Sequence, residues 1–235
     1  MKPIVAPVKN LIAAQVAFET VVRRPYGIPG ICLMHGESGL GKTTANAYIY
    51  SQVDGIYVSA RAHDSTSSLM MRVVEELGST PAYRISKNID FIIEQISMNE
   101  RPLFIDEADY LMNDVRMLDT IRDIYDGAET PIILIGMDQI ARRISKRKQF
   151  FNRISEWVEF KRADLDDITT MANSLLEDNI LVEEELLEHL RKSTSGEMRR
   201  IIIGLTKIET LAKANDIELV TRQDWGNQPF HGLRD

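Results

Sequence analysis

The stretch that decides the fold lies between residues 31 and 44, where a short apolar run enters a glycine-rich loop: Ile31-Cys32-Leu33-Met34-His35-Gly36-Glu37-Ser38-Gly39-Leu40-Gly41-Lys42-Thr43-Thr44. The apolar residues favour a buried strand, and the pattern from Thr43 to Tyr50 favours a helix. Glycines let backbone N–H groups turn inward towards an anion, and the N-terminus of the following helix adds a favourable dipole. A strand, a glycine-rich loop and a helix in this order predict a loop that binds phosphate groups.

The end of this loop carries the charge and the metal ligand that a nucleoside triphosphate requires. Lys42 places an ammonium group against the β- and γ-phosphates, and the Thr43 hydroxyl is the expected ligand of Mg²⁺. We therefore predict that ATP and Mg²⁺ bind here, with nucleotide contacts from Gly36, Glu37, Ser38, Gly39, Leu40, Gly41, Lys42, Thr43 and Thr44. The alternative is a structural glycine turn with a solvated Lys42, which the flanking strand and helix disfavour.

A second apolar run ends in two carboxylates, Pro102-Leu103-Phe104-Ile105-Asp106-Glu107. At the carboxyl end of a parallel strand, both would face the crevice that holds the phosphates. Asp106 would hold Mg²⁺ through its water shell, and Glu107 would orient and polarise the attacking water. Taken alone, an apolar run that ends in Asp-Glu is also typical of an acidic turn, so the assignment depends on the phosphate loop.

The rest of the chain alternates strand and helix patterns as far as residue 162. Besides Ile31–His35, strands are predicted at Gly55–Ser59, Pro102–Asp106, Pro131–Gly136 and Trp157–Phe160, after a first helix at Val8–Arg24. Connections long enough for a helix predict a parallel sheet. No strand pattern follows, and helical patterns cover Asp166–Glu177, Val182–Lys192 and Gly196–Ala214. The last is preceded by Thr194 and Glu197 at the spacing of a capping box.

These patterns divide the 235 residues into three segments. Residues 1–163 are predicted to form an α/β core with its N-terminal helix, residues 164–214 a helical subdomain, and residues 215–235 a partly ordered tail. Hydrophobic residues make up 44% of the chain and charged residues 27%, which favours a packed core over disorder.

Cysteine content and hydropathy exclude further classes of protein. The single cysteine, Cys32, excludes an intrachain disulfide and a cysteine zinc cluster. No apolar stretch approaches the roughly 20 residues of a membrane span, and the amino terminus lacks a signal core. We therefore expect no membrane partner and a cytoplasmic location, in a bacterium or a phage-infected host cell.

The net charge of −7 argues against a globally basic nucleic-acid-binding protein, but the charge is unevenly distributed. Residues 142–153 include six basic residues and no acid, whereas residues 171–190 include six acids and no Lys or Arg. The basic segment therefore leaves open the possibility that one face of the protein contacts DNA. A solvated helix face or a contact with an adjacent subunit is the favoured interpretation of its first part, Arg142–Lys148.

Several motifs together resemble the AAA+ ATPases, and Arg101–Phe160 is most similar to the branch that contains the phage Mu B transposition protein and its Tn7-type relatives. The resemblance covers residues 8–214. It rests on the phosphate loop, Phe104-Ile105-Asp106-Glu107-Ala108-Asp109, the helix Leu118–Tyr125, Leu134-Ile135-Gly136-Met137, Asn152-Arg153-Ile154 and Gly196-Glu197-Met198-Arg199. It implies an α/β fold, a three-layer P-loop AAA+ core with a five-stranded parallel sheet of order 5-1-4-3-2. A C-terminal α-helical lid follows this core, and the nucleotide is expected at the junction of the core and the lid.

The resemblance also implies roles for two arginines. Arg153 matches an arginine that reaches the γ-phosphate held by the neighbouring subunit, with Arg147 as the second choice and a structural or solvated arginine as the alternative. A guanidinium is always charged and offers a fixed fork to transition-state oxygens, so hydrolysis would require assembly. Arg199 matches the lid arginine that contacts the nucleotide, although the adjacent Arg200 leaves the register open.

Two departures from the family pattern affect the expectations. In AAA+ proteins, a small polar residue after the fourth strand commonly helps to position water. This chain has Gly136-Met137-Asp138 there, and Asp138 is the candidate substitute. Only a short segment precedes the phosphate loop, so any contact with DNA must come from the core. Arg61 and His63, within Ser59–His63 and followed by Ser65–Ser68, are the candidate DNA-binding residues, because related ATPases line their central channel with such elements. A polar loop is the alternative.

The function implied by the resemblance is a DNA-binding AAA+ ATPase. It would assemble as a homo-oligomer, a ring or a helical filament, on duplex DNA without sequence preference. It would act as a regulator of transposition that selects target sites and activates a transposase. Two alternatives remain: an ATPase that loads a replicative helicase and prefers single-stranded DNA, and a regulatory nucleotide switch that binds only proteins.

Overall fold

The computed structural model describes residues 1–231, which form two compact units. One unit consists of Ala13–Glu37 and Lys42–Glu159, and we call it the sheet unit. The other consists of Met1–Ile12, Ser38–Gly41 and the chain from Phe160 onward, and we call it the helical unit. Within residues 1–231, no helix is both long enough and apolar enough to cross a lipid bilayer.

Five parallel strands form the sheet of the sheet unit. Their bounds are Ile31–His35 for β1, Ile56–Ser59 for β2, Leu103–Asp106 for β3, Ile132–Gly136 for β4 and Ile154–Glu159 for β5. Their spatial order is β2-β3-β4-β1-β5, which confirms the predicted order 5-1-4-3-2. Because the strands are parallel, the phosphate loop after β1 and the carboxylates at the end of β3 lie at the same edge of the sheet.

Helices cover the sheet because its central strands are apolar on both faces. Every residue of β3 and β4 is buried, and strands buried on both faces need helices on each. Apolar residues at helical spacing, such as Leu118, Ile121 and Tyr125, pack into the same core. The helices of this α/β three-layer arrangement are α1 (Lys9–Val22), α2 (Lys42–Tyr50), α3 (Thr66–Glu76), α4 (Ile85–Met98), a 3₁₀ helix (Ala108–Asn113), α5 (Val115–Ala128), α6 (Asp138–Ser145) and α7 (Lys148–Phe151).

Strand β5 begins at Ile154, three residues before its predicted start. Ile154 pairs with Ile31 of β1, and the register shifts by one residue between Ile31 and Cys32. As the edge strand, β5 leaves Ser155, Glu156 and Trp157 only partly buried. Its apolar pattern is therefore too weak for the sequence to place its first half.

The helical unit contains three long helices: α8 (Leu165–Leu175), α9 (Glu184–Thr194) and α10 (Met198–Asn215). It also contains two short parallel strands, β6 (Leu181–Val182) and β7 (Leu219–Val220), and a short helix, α11 (Arg222–Trp225). The prediction that no strand follows residue 162 is wrong. Two residues are too few to show an alternation of apolar and polar side chains, so these strands escape a pattern search.

The capping box predicted from Thr194 and Glu197 is also wrong. Thr194 is the last residue of α9, and its Oγ1 donates to Leu190 O at 2.7 Å. Ser195 and Gly196 follow at φ +52° and +70°, which ends α9 in a left-handed turn. Glu197 is the N-cap of α10 without a side-chain capping bond, and Arg199 lies in the first turn of α10, as expected.

The segment after residue 214, interpreted from sequence as a partly ordered tail, is packed as far as residue 230. Trp225 and Phe230 are both 1% exposed, and their rings stack at 4.5 Å in the core of the helical unit. Trp225 Nε1 donates to Gln228 O at 2.8 Å. The last part of the predicted tail, residues 232–235, lies outside the described residues, and the three-segment division stays a prediction.

Replacing Trp225 tests whether this segment stabilises the helical unit. A Trp225→Ala protein is expected to lose about 3–5 kcal/mol of unfolding free energy, because a fully buried ring leaves a cavity. The matched control is Leu219→Ala, since Leu219 is 51% exposed and its truncation should change stability by about 0.5 kcal/mol or less. Urea unfolding followed by far-ultraviolet circular dichroism measures both. Equal stability of the two variants would contradict the packing described.

Candidate active site

The glycines of the phosphate loop adopt backbone conformations that favour glycine. Gly39 and Gly41 have φ of +79° and +88°, and a Cβ on Gly39 would lie 2.6 Å from Glu197 Oε1. Their N–H groups donate hydrogen bonds to no other part of the described chain. These two N–H groups therefore remain available to an anion, as a phosphate loop requires.

Lys42, the first residue of α2, folds over its own loop. Its Nζ donates to Gly36 O at 2.6 Å and to Glu37 O at 2.7 Å. Burial lowers the pKa of Lys42, and the charges of four carboxylates act in the opposite direction: Asp106, Asp138, Asp109 and Glu107. This excess of negative charge around one ammonium group matches a site that receives a divalent cation together with a polyanion.

Thr43 and Asp106 meet as a hydroxyl and a carboxylate. Thr43 Oγ1 donates to Asp106 Oδ2 at 3.0 Å, which leaves the lone pairs of the hydroxyl available to a cation. Asp106 is the last residue of β3 and is buried, and its Oδ1 accepts the Glu107 N–H at 2.8 Å. Mg²⁺ binds through oxygen ligands, one or two carboxylates and phosphate oxygens, so this donor set fits it.

Glu107 has a different environment from Asp106, although the two are adjacent. It adopts φ +53° and ψ +36°, a left-handed conformation that costs a residue with a Cβ about 1–2 kcal/mol. This turn ends β3 and begins the 3₁₀ helix, and the Glu107 side chain is exposed. One carboxylate is thus buried and fixed while the next is accessible to water, as two separate roles require.

The end of β4 is arranged around Asp109 as well as Asp138. Asp109 Oδ2 accepts the Met137 N–H at 2.6 Å, and a Cβ on Gly136 would collide with that oxygen at 2.6 Å. Asp138 begins α6, with Oδ1 3.6 Å from His35 Nδ1. Asp109 has no sequence signal of its own beyond the motif that follows β3, because its contact depends on the neighbouring strand.

Tyr57 is the site residue that the sequence analysis misses. Its hydroxyl donates to Asp106 Oδ2 at 2.7 Å, so this oxygen accepts hydrogen bonds from both Tyr57 and Thr43. In the sequence, Tyr57 is one more apolar-compatible residue of β2. Only the pairing of β2 with β3 brings it to Asp106.

A comparison with known families covers the part of the chain that carries this site. Residues 28–144, from just before β1 to α6, match the family model of an AAA domain. No curated protein matches the sequence significantly.

Solved structures share the fold of the chain over 95% of its length at 14–15% sequence identity. They include the ORC2 protein of Aeropyrum pernix in ADPNP–ADP complexes, with a TM-score of 0.71, and Cdc6p from Pyrobaculum aerophilum, with a TM-score of 0.66. A third is the ORC1 protein of Aeropyrum pernix in complex with DNA, with a TM-score of 0.63. The chain spans 68%, 68% and 64% of these three proteins. At such identities the likeness shows a shared fold alone.

The middle of the phosphate loop is held within the helical unit. Gly39 O accepts the Arg199 N–H at 3.1 Å, and Leu40 O accepts Asn10 Nδ2 at 3.4 Å. Arg200 pairs with Glu197 at 2.9 Å, whereas the Arg199 side chain is exposed and has no ion pair with a described residue. Of the two adjacent arginines, Arg199 therefore has the guanidinium that is free to meet a ligand.

Arg153 lies immediately before β5, and its guanidinium forms hydrogen bonds within its own chain. Nε and Nη2 donate to the two carboxylate oxygens of Asp126, both at 2.5 Å, and Nη1 donates to Gln149 O at 2.5 Å. The arginine also lines an open pocket of about 500 Å³ with Tyr26 and Tyr125. To act on the nucleotide of another subunit, the Arg153 guanidinium would have to leave Asp126 and bind the new partner instead.

The candidate DNA-binding residues Arg61 and His63 lie in the turn between β2 and α3, and both are exposed. The turn is fixed by Asp64, which accepts the Arg61 N–H at 2.7 Å and pairs with Arg72. The side chains of Arg61 and His63 have no partner among the described residues. In the basic segment, the exposed cations without an ion pair to a described residue are Arg142, Arg143, Lys146, Arg147 and Lys148.

Proposed function

We propose that this protein is an AAA+ ATPase, which binds ATP together with Mg²⁺ and hydrolyses ATP to ADP and phosphate. The observation that carries the proposal is the contact of the Thr43 hydroxyl with the Asp106 carboxylate at 3.0 Å. It brings the end of the phosphate loop to the end of β3, where an accessible Glu107 follows. These are the metal-holding and water-positioning parts of a site for phosphoryl transfer.

Each residue has a distinct part in this mechanism. Lys42 exchanges its bonds to Gly36 O and Glu37 O for phosphate oxygens, and the loop N–H groups bind further phosphate oxygens. Thr43 and Asp106 would hold Mg²⁺, which neutralises the charge that develops on those oxygens. Glu107 holds the attacking water in line with the γ-phosphate and accepts a proton from that water. Gly36 through Thr44 form the nucleotide contacts.

Two arginines complete the proposed site. Arg199, at the start of α10, contacts the nucleotide, supported by a guanidinium that has no ion pair within residues 1–231 and by the bond of its N–H to Gly39 O. Arg153 acts in trans on the nucleotide of a neighbouring copy, supported by its place before β5 and the open pocket beside it. Hydrolysis then depends on the formation of a homo-oligomer, a ring or a helical filament.

We further propose that the oligomer forms on duplex DNA and regulates transposition by selecting target sites and activating a transposase. The sequence resemblance to the Mu B and Tn7-type branch supports this finer assignment. The exposed Arg61 and His63, on a turn fixed by Asp64, support sequence-independent contacts with phosphates.

A second candidate is a loader of a replicative helicase; the fold likeness to the ORC1 protein, which was solved in complex with DNA, supports a protein that acts on DNA and fits this candidate as well. A loader of this kind would prefer single-stranded DNA in the presence of ATP. A switch that binds only proteins would show no effect of either DNA on nucleotide turnover.

The test measures binding to labelled duplex and single-stranded DNA with ATP, ADP or no nucleotide over a series of salt concentrations. We expect ATP-dependent duplex binding that weakens as salt rises, since each neutralised phosphate releases counterions. Arg61→Ala should lower the slope of log affinity against log salt by about one. Arg84→Ala, which removes another exposed arginine, is the matched control. Absence of duplex binding in ATP would contradict the transposition proposal, and single-strand preference would favour the loader.

A further inference from the structure

The Asp106 carboxylate is held at both of its oxygens, and one of the donors comes from outside the phosphate loop and β3. Oδ1 accepts the Glu107 N–H at 2.8 Å, and Oδ2 accepts two hydroxyls, from Thr43 at 3.0 Å and Tyr57 at 2.7 Å. A carboxylate only accepts hydrogen bonds, so both hydroxyls direct their protons at Oδ2. Tyr57 therefore contributes a fixed donor to the residue that we expect to hold the metal's water shell.

The register of β2 and β3 makes this contact possible. Tyr57 pairs with Phe104, and Asp106 lies two residues further along β3 on the same face of the sheet. A tyrosine is long enough to reach from its own position to the carboxylate at the end of the neighbouring strand. The hydroxyl at the tip of its ring thus lies where β3 ends.

The ring of Tyr57 is fixed by other aromatic side chains of the sheet unit. It stacks on Phe104 at 6.2 Å with an interplanar angle of 21°, and Tyr50 of α2 packs against it at 5.5 Å. Phe18 of α1 stacks on Phe104 at 5.6 Å. Because the ring is held in place by packing, the hydroxyl loses little conformational freedom when it binds Asp106.

Thr43 and Tyr57 differ in what they do once a cation is bound. The Thr43 hydroxyl is the expected metal ligand, whereas the Tyr57 hydroxyl comes from β2 and, among the described residues, hydrogen-bonds only to the Asp106 carboxylate. We propose that Tyr57 is a positioning residue of the Mg²⁺ site, whose hydroxyl keeps the Asp106 carboxylate in the orientation that receives the hydrated metal. The inference rests on the proposed function, because it concerns the same site.

The test compares Tyr57→Phe with the wild type in binding a fluorescent, non-hydrolysable ATP analogue, in EDTA and over a MgCl₂ titration. Loss of a partner that orients a metal-binding carboxylate should raise the Mg²⁺ concentration for half-maximal binding about tenfold. Affinity for the analogue in EDTA should stay within about twofold of the wild type, since Tyr57 has no hydrogen bond to residues 36–44, which form the nucleotide contacts. The readout is binding, so it does not depend on turnover.

The matched control is Tyr50→Phe, which removes a hydroxyl from the same aromatic cluster. The Tyr50 hydroxyl has no hydrogen-bond partner among the described residues, so its loss should leave the Mg²⁺ titration unchanged. A Tyr57→Phe titration that superimposes on a Mg²⁺-dependent wild-type titration would overturn this inference alone. Equal weakening of binding in EDTA and in Mg²⁺ would also overturn it, by showing a structural role only. A wild-type protein that binds no nucleotide would overturn the proposed function as well.

Discussion

An Arg153→Ala protein is expected to hydrolyse ATP about a thousandfold more slowly than the wild type, with an unchanged affinity for ATP. A guanidinium supplied in trans stabilises the charge of the transition state and has no role in the binding of ATP by its own subunit. Steady-state phosphate release at saturating ATP, together with binding of a fluorescent ATP analogue, measures the two effects separately. The measurement is made at a protein concentration at which wild-type turnover per subunit no longer rises.

Two further variants show whether Arg153 acts through another subunit or only within its own chain. Asp126→Asn removes the negative charge that pairs with Arg153, and it leaves the guanidinium and its bond to Gln149 O in place. Asp126 is 41% and Arg153 29% exposed, so this pair contributes only about 0–1 kcal/mol to stability. We expect Asp126→Asn to retain most of the activity. Equal losses in Asp126→Asn and Arg153→Ala would assign Arg153 a structural role, and a loss confined to Arg147→Ala would transfer the role in trans to that residue.

A Glu107→Gln protein is expected to bind ATP but to hydrolyse it about 10²–10⁴-fold more slowly. The amide keeps the size of the side chain but accepts no proton from water at neutral pH. Because the phosphate loop and Asp106 are intact, ATP should remain bound and hold the protein in its assembled state. Phosphate release and sedimentation velocity in ATP measure turnover and assembly.

Glu100→Gln is the matched control for Glu107→Gln. Glu100 is exposed and has φ +49°, close to the φ of Glu107, but it lies between α4 and the start of β3, away from the carboxylates at the end of that strand. The same chemical change there should leave turnover unchanged. A Glu107→Gln protein with wild-type turnover would show that another carboxylate activates the water, and Asp138 would be the first to examine.

The central sheet and the nucleotide loop could be predicted because their signals are local. Residues 31–35, 103–106 and 132–136 are continuous apolar runs, as strands buried on both faces require. The strand order came from the resemblance to AAA+ proteins rather than from the apolar pattern. The edge strand β5 is half exposed, so its apolar pattern is weak and predicts a start three residues too late.

What the sequence could not predict depends on contacts between distant residues. Thr194 and Glu197 have the spacing of a capping box, but Ser195 and Gly196 turn the chain between them and the box does not form. Trp225 and Phe230 are separated by polar residues, so their packing in one core has no periodic pattern. Tyr57 meets Asp106 only through the register of β2 and β3.

Phosphate release from an equimolar mixture of Arg153→Ala and Glu107→Gln proteins tests whether the site is completed by a neighbouring copy. Each variant is expected to be nearly inactive alone. In mixed assemblies, Glu107→Gln subunits supply Arg153 to sites that still carry Glu107, so about a quarter of the sites should be complete and turnover should recover accordingly. A mixture no more active than the sum of its two components would contradict a site shared between subunits.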